Sequence, residues 1–210
     1  MIIGITQRAD KVSAYNEYRD ALDQRLVNWV IEAGFTPVPI PNTLVDQDFP
    51  IKNKSNLDNW LNRLDIDALL LSGGNSIGDA PKRDLTEIGL LKWAEINRKP
   101  VLGICRGMQI MGTYNGASLI EVSGHVGTRH QIHSKNSLEQ FLPKIVNSYH
   151  NFALSACPDE FQIMAYSEDD NIEAIIHKEL PWEGWMWHPE REEIFTKIDQ
   201  DRFIALVNSG

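Results

Sequence analysis

Cys105 sits in the run Pro100-Val101-Leu102-Gly103-Ile104-Cys105-Arg106-Gly107-Met108-Gln109. An apolar run of this kind reads as a buried strand. After the cysteine, Met108, Ile110, Met111 and Tyr114 recur at roughly helical spacing. A strand that turns into a helix at one nucleophilic residue is a nucleophile elbow, and Gly103 and Gly107 leave room for its tight backbone. The positive end of a helix dipole at that point favours a sulfur anion. A lone cysteine in an apolar run is more often a buried, inert one; the elbow and the downstream residues reverse that preference. The second set is Trp187-His188-Pro189-Glu190. Hydrolysis through a cysteine needs a group that holds the thiolate and then protonates the departing amine, which suits an imidazole. A carboxylate two positions along an extended chain can face the same side and orient that ring. The third is Gly73-Gly74, closing Asp67–Gly74 (DALLLSGG). Glycines after a strand are usually simple turns, but they also let backbone N–H groups approach an oxyanion.

Elements must hold these groups together. Met1–Thr6, Phe35–Ile40 and Asp67–Ser72 read as strands, the second suited to an edge by its prolines. Tyr15–Ala33, with Leu22, Leu26, Trp29, Val30 and Ala33 on one face, reads as a helix stopped by Gly34; Leu57–Leu64 and Asp84–Asn97 also read as helices. Residues 43–56 look polar and irregular. Strands alternating with helices through the first 115 residues predict a doubly wound parallel sheet. Beyond Gly116 the pattern changes to short strands at Ile145–Tyr149, Phe161–Tyr166, Ile172–His177 and Trp182–Trp187, with a final helix expected near Arg191–Ile198. The expectation is one domain over 1–210: a flavodoxin-like three-layer α/β sandwich with a mostly parallel central sheet and an added β-rich half.

Length and composition narrow the function. The 210 residues suffice for one domain with a substantial core. A net charge of −9 argues against non-specific binding to nucleic acid or anionic membrane. Two cysteines, Cys105 and Cys157, make no disulfide framework and point to a reducing compartment. The start, MIIGITQRAD, does not read as a signal peptide, and no apolar run approaches the ~20 residues of a membrane span; a cytoplasmic location is expected. His125, His130 and His133 match no zinc spacing, so no metal is expected there. Trp182, Trp185 and Trp187 read as sheet packing and Cys157 as a passive turn residue.

GICRGMQ resembles the G-x-C-x-G-x-Q nucleophile motif of the class I glutamine amidotransferases, and the Arg after the Cys resembles their γ-glutamyl-amide hydrolase branch, typified by γ-glutamyl-γ-aminobutyrate hydrolase. The Gly-Gly loop, the elbow, H-x₄-H-x-I, V-N-S-x-H, I-E-A-I and W-x-H-P-E stand in family order along nearly the whole chain. The resemblance implies Cys105 as nucleophile, His188 as base then acid, Glu190 as orienting carboxylate, and the N–H groups of Gly74 and Arg106 as the oxyanion hole. It further implies that Gly73, Gln109, Ser148, Tyr149, His150 and Arg129 line the glutamyl site, His150 as a wall rather than a second base. Asn75 stands where relatives often carry an acidic residue. No metal or organic cofactor is implied.

The implied reaction is hydrolysis of a γ-glutamyl amide through a thioester. Arg8, Arg19, Lys82, Arg83, Arg106, Arg129 and Arg191 fall on or near the expected site loops and could read phosphates; scattered surface salt bridges are the plainer account of each. With the overall likeness they suggest a γ-glutamyl conjugate of cytidine diphosphoramidate, as used in capsule phosphoramidate synthesis. γ-Glutamyl-γ-aminobutyrate is the alternative substrate. A glutaminase subunit serving a synthetase partner is a less favoured reading, a silent binding protein on the same fold a further one, and a homo-oligomer is left open.

Overall fold

The computed structural model describes residues 1–45, 50–134 and 139–210, with 50–55 and 139 described by their backbone alone. Its first half alternates strands and helices: β1 (Ile2–Thr6), a hairpin of β2 (Arg8–Val12) and β3 (Glu17–Ala21), α1 (Gln24–Glu32), β4 (Thr36–Ile40), α2 (Pro50–Leu64), β5 (Ala68–Leu71), α3 (Pro81–Asn97), β6 (Val101–Ile104) and α4 (Arg106–Tyr114). The second half runs β7 (Leu119–Glu121), β8 (Val126–His133), β9 (Ile145–Tyr149), β10 (Phe152–Leu154), β11 (Phe161–Ser167), β12 (Ile172–His177), β13 (Trp182–Trp185) and α5 (Lys197–Val207).

Nine of these strands form one sheet in the order β4-β1-β5-β6-β13-β12-β11-β8-β9. From β4 to β13 every pairing is parallel; from β13 to β9 every pairing is antiparallel. The expected β-rich half is therefore a continuation of the parallel sheet. β5 and β6 (ALLL and VLGI) are buried throughout, which is why they lack polar alternation. β4 carries Pro37 and Pro39 and pairs only with β1, at the edge.

Two apolar layers enclose the sheet. On one face Leu26, Trp29 and Val30 of α1 meet Phe203 of α5, with Trp29 stacked on Phe203 at 4.7 Å. On the other, Leu57 and Leu61 of α2, Leu90 and Leu91 of α3, and Met108 and Met111 of α4 pack together. The result is the expected three-layer α/β sandwich. Trp182, Trp185 and Trp187 are buried, Trp185 and Trp187 stacking at 5.4 Å, as packing residues should.

Three local expectations are corrected. The helix read over Tyr15–Ala33 starts at Gln24, capped by Asp23, whose side chain accepts from the Arg25 N–H. Its expected first half is instead β3, held to β2 from Val12↔Glu17 to Arg8↔Ala21. The stretch taken as irregular turns helical at Pro50, while its residues 46–49 lie outside the described ones. Arg191–Ile198 is not a helix: a short 3₁₀ turn covers Pro189–Arg191 and α5 begins at Lys197, where Thr196 caps the Asp199 N–H.

Candidate active site

The elbow forms where β6 meets α4, and two close approaches dictate its glycines. A Cβ on Gly107 would lie 2.1 Å from the Leu71 carbonyl oxygen, and one on Gly103 would lie 2.6 Å from the Gly107 carbonyl. Cys105 between them has φ 51° and ψ −105°, a left-handed conformation that a non-glycine residue adopts only under constraint. Its N–H donates to the Trp185 carbonyl at 2.7 Å, and its carbonyl receives the Gln109 N–H at 3.1 Å, the opening bond of α4.

β13 lies beside β6, so the segment leaving β13 runs past the elbow. His188 on that segment is fixed at both ends of its backbone by one side chain: its N–H donates to Asn147 Oδ1 at 3.0 Å, and Asn147 Nδ2 donates to its carbonyl at 2.7 Å. His188 Nδ1 lies 2.6 Å from Glu190 Oε1, and the Cys105 sulfur is near enough to the same ring to favour its proton. Cys105, His188 and Glu190 are all buried. Burial alone would lower the imidazole's affinity for a proton, but the Glu190 charge, the neighbouring Cys105 sulfur and the bond to Glu190 outweigh it and lift His188 to about 9. A buried imidazolium facing a sulfur on one side and a carboxylate on the other can hold a thiolate and then give up its proton. The Tyr149 ring meets His188 edge-on at 5.8 Å, and the Arg191 guanidinium lies over Tyr149 at 4.4 Å.

The Gly73-Gly74 loop follows β5 and reaches the same spot. A Cβ on Gly73 would come within 2.6 Å of His188 Cε1, so the loop rests directly on the ring. Gly74 has φ +99°. Arg83 fixes this loop: Nη2 donates to the Ser72 carbonyl at 2.6 Å and the Gly73 carbonyl at 3.0 Å, while Nη1 reaches Asn75 Oδ1 at 3.3 Å. The Asn75 amide also accepts from the Ala9 N–H and donates to its carbonyl, which ties the loop to the β2–β3 hairpin. Glu87, wholly buried, pairs with both Arg83 and Arg106, and Asp84 also takes Arg106. Burial pushes the Glu87 carboxyl up, yet the two guanidiniums more than reverse this and hold it ionised.

That arrangement corrects two expectations. The Arg83 and Arg106 side chains are sealed in a carboxylate-paired core and do not face a phosphate pocket. Arg8, Arg19 and Arg129 pair at the surface with Asp10, Glu17 and Glu192. Lys82 stays exposed beside a concave region of about 560 Å³ between the hairpin and α3. A smaller cavity, about 30 Å³, touches Arg8, Gly73, Gly74, His188, Glu190 and Arg191. A larger cleft, about 1170 Å³, runs along α5 and contains none of the Cys-His-Glu set.

Among the expected glutamyl-site residues, Tyr149 stands against His188, while the side chains of others are bonded to groups of the protein itself. Gln109 Nε2 donates to the Phe152 carbonyl at 2.9 Å, and Ser148 Oγ to the His125 carbonyl at 2.7 Å. His150 is turned away from His188 into a buried group with Glu173. Asn147, the clamp on His188, carried no role of its own in the sequence. A V-N-S strand next to a reactive histidine is the only cue, and the clamp becomes visible once β9 meets the segment after β13.

The chain is similar to known proteins. The family model of the class I glutamine amidotransferases matches residues 17–196. The γ-glutamyl-CDP-amidate hydrolase of Campylobacter jejuni is 34% identical over 207 residues, covering 94% of each chain. The anthranilate synthase component 2 of Thermococcus kodakarensis is 32% identical over 160 residues, 71% of this chain and 77% of that protein. The crystal structure of a glutamine amidotransferase from Thermotoga maritima matches over 99% of this chain and 82% of that one, with a TM-score of 0.60 at 15% identity, a likeness of fold alone. Among the described residues no helix is long and apolar enough to cross a membrane.

Proposed function

The chain belongs to the class I glutamine amidotransferase family, and from that membership we propose that its 210 residues act as one cysteine-dependent γ-glutamyl-amide hydrolase in the cytoplasm. The observation that carries the reading is that Cys105, on its strained elbow, neighbours the ring of His188, whose Nδ1 is 2.6 Å from Glu190 Oε1. Cys105 Sγ attacks the γ-carbonyl carbon, and the Gly74 and Arg106 N–H groups receive the oxyanion. The C–N bond then breaks as His188 passes its proton to the leaving nitrogen, which leaves a γ-glutamyl thioester. His188 next takes a proton from water, the hydroxide attacks the thioester, and glutamate departs as sulfur is released. Glu190 keeps the imidazole oriented and charged.

The substrate proposed is γ-glutamyl-CDP-amidate, giving cytidine diphosphoramidate and L-glutamate for capsule phosphoramidate synthesis. The relative covering 94% of the chain carries that activity in its name. With Arg83 and Arg106 committed to Glu87, cations placed to meet phosphates are Lys82 beside the hairpin and, at the smaller cavity, Arg191 and Arg8, the last by exchanging its exposed pair with Asp10. The test is glutamate release by wild type and Cys105→Ala from glutamine, γ-glutamyl-γ-aminobutyrate and γ-glutamyl-CDP-amidate. Cys105-dependent turnover favouring the nucleotide conjugate is expected. Preference for γ-glutamyl-γ-aminobutyrate would overturn the substrate. Turnover of glutamine alone would point to a glutaminase that awaits a synthetase; the Thermococcus relative is named as one component of a synthase. Release that survives Cys105→Ala would overturn the mechanism.

A further inference from the structure

Away from Cys105, three elements of the antiparallel half bring buried acceptors face to face. His125 precedes β8, His150 follows β9 and Glu173 lies on β12. One ligand atom from each lies within 4.8 Å of the others, and all three residues are buried. Glu173 is fully inaccessible, and neither carboxylate oxygen has a hydrogen-bond partner among the described residues. Its Oε1 is 3.4 Å from His150 Nε2 and 3.8 Å from His125 Nδ1. An ionised carboxylate left this way is costly.

The far side of each imidazole decides what the near side presents. His150 Nδ1 lies 3.1 Å from the Phe152 carbonyl, which only accepts, so Nδ1 carries the proton. His125 Nε2 lies 3.0 Å from Asp169 Oδ2, and an ionised carboxylate likewise fixes the proton there. In neutral rings, His150 Nε2 and His125 Nδ1 then aim lone pairs at a carboxylate. These three acceptors converge with no proton of their own between them; a proton on His130 Nε2, 3.4 Å from Glu173 Oε1, is the competing way to meet the carboxylate, and a cation among the three is the other. A histidine that donates its outer N–H to a carboxylate or backbone carbonyl while its inner nitrogen faces the site is the outer-shell pattern of metal-binding imidazoles. Bonds of about 2.0–2.1 Å at tetrahedral angles place ligand atoms about 3.3 Å apart; Glu173 Oε1 stands 3.4 Å from His150 Nε2 and 3.8 Å from His125 Nδ1, and all three ligand atoms lie within 4.8 Å of one another, so a small inward shift seats an ion.

We propose that His125, His150 and Glu173 bind a divalent transition ion of the zinc class, with Asp169 and the Phe152 carbonyl orienting the two rings. His130, whose Nε2 is 3.4 Å from Glu173 Oε1, flanks the site. The ligand set differs from the His125, His130 and His133 triplet that the sequence brings to notice: His133 instead stacks on Tyr166 at 5.9 Å. The role is structural. The His125 carbonyl receives the His150 N–H and the Ser148 hydroxyl, and the Phe152 carbonyl also receives Gln109 of α4. A bound ion therefore braces the end of β9, next to the Asn147 that holds His188.

The test uses the Cys105→Ala protein, so that the elbow thiolate cannot take the ion. After treatment with chelator, Zn²⁺ is titrated calorimetrically and thermal melts are recorded with and without it; Co²⁺ gives a visible ligand-field band as an independent readout. One equivalent of Zn²⁺ and a higher melting temperature are expected. Glu173→Gln should lose the site, and Asp169→Asn, whose side chain is mostly exposed and safe for folding, should weaken it roughly 10–100-fold. Absence of binding by the Cys105→Ala protein would overturn the proposal, since the cluster would then be a proton-sharing network. Affinity unchanged in both Glu173→Gln and Asp169→Asn would overturn it equally, by placing the ion elsewhere.

Discussion

Replacing Gly73 with alanine tests how tightly the site is built. The added Cβ would lie 2.6 Å from His188 Cε1. Carbon atoms settle at about 3.5–4.0 Å, so the ring or the loop must retreat by about 1 Å. The loop is poorly placed to yield, because Arg83 holds the Ser72 and Gly73 carbonyls and Asn75 is bonded to both sides of Ala9. The ring is held less firmly at its tip, since Asn147 fixes only the His188 backbone. The ring should move, and its 2.6 Å bond to Glu190 and its contact with Cys105 should loosen. A misplacement of that size costs roughly 100-fold in rate, about 2.7 kcal/mol in the barrier. Gly73 lies outside the left-handed region, so alanine carries no backbone strain and the melting temperature should change little. The assay is pre-steady-state thioester formation with a γ-glutamyl substrate, alongside thermal melts. Thioester formation within threefold of wild type would refute the argument that loop and ring are rigid against each other.

Three further outcomes are expected. Glu190→Gln removes the largest influence raising His188, so the alkaline limb of kcat/KM, expected near 9 because the imidazolium is lost above its pKa, should move toward 6.5; an unmoved limb would assign it to another group. Glu87→Gln leaves Arg83 and Arg106 buried without their shared carboxylate and should cost about 3–5 kcal/mol in urea unfolding; a cost below about 1 kcal/mol would contradict the described pairing. Burial lifts Asp199 to about 6 from an ordinary 3.8, so the folded state holds a proton that the unfolded state has released, and stability should fall between those values by about 3 kcal/mol as pH rises. Asp199→Asn should abolish that decline in pH-dependent melts.

What was legible depended on how locally each feature is encoded. The elbow and the His188–Glu190 pair each lie within a few consecutive residues, so type and spacing expose them. The fully buried strands announce themselves as apolar runs. The β2–β3 hairpin does not, because Arg8–Val12 and Glu17–Ala21 are mostly surface residues with no buried face to impose alternation. Arg83 and Arg106 were candidates for phosphate contacts because a basic residue shows its charge in sequence and hides its partner. Glu87, four positions after Arg83, was the available cue, since that spacing places both on one helix face. The His125, His150 and Glu173 cluster was not legible at all, because strand order in the antiparallel half creates it.

The parallel pairing of β6 with β13 has a consequence for biosynthesis. These neighbours stand about 80 positions apart in the chain, with all of β7 to β12 between them. A growing polypeptide can complete β1, β4, β5 and β6 and present Cys105 while His188 and Glu190 are still unmade. Until β13 inserts beside β6, the thiol lacks its imidazole and Glu190. Closing so long a loop is a slow, late event. Reactivity of this cysteine should therefore arise in a single step near the end of folding, and the partly made chain should be chemically quiet.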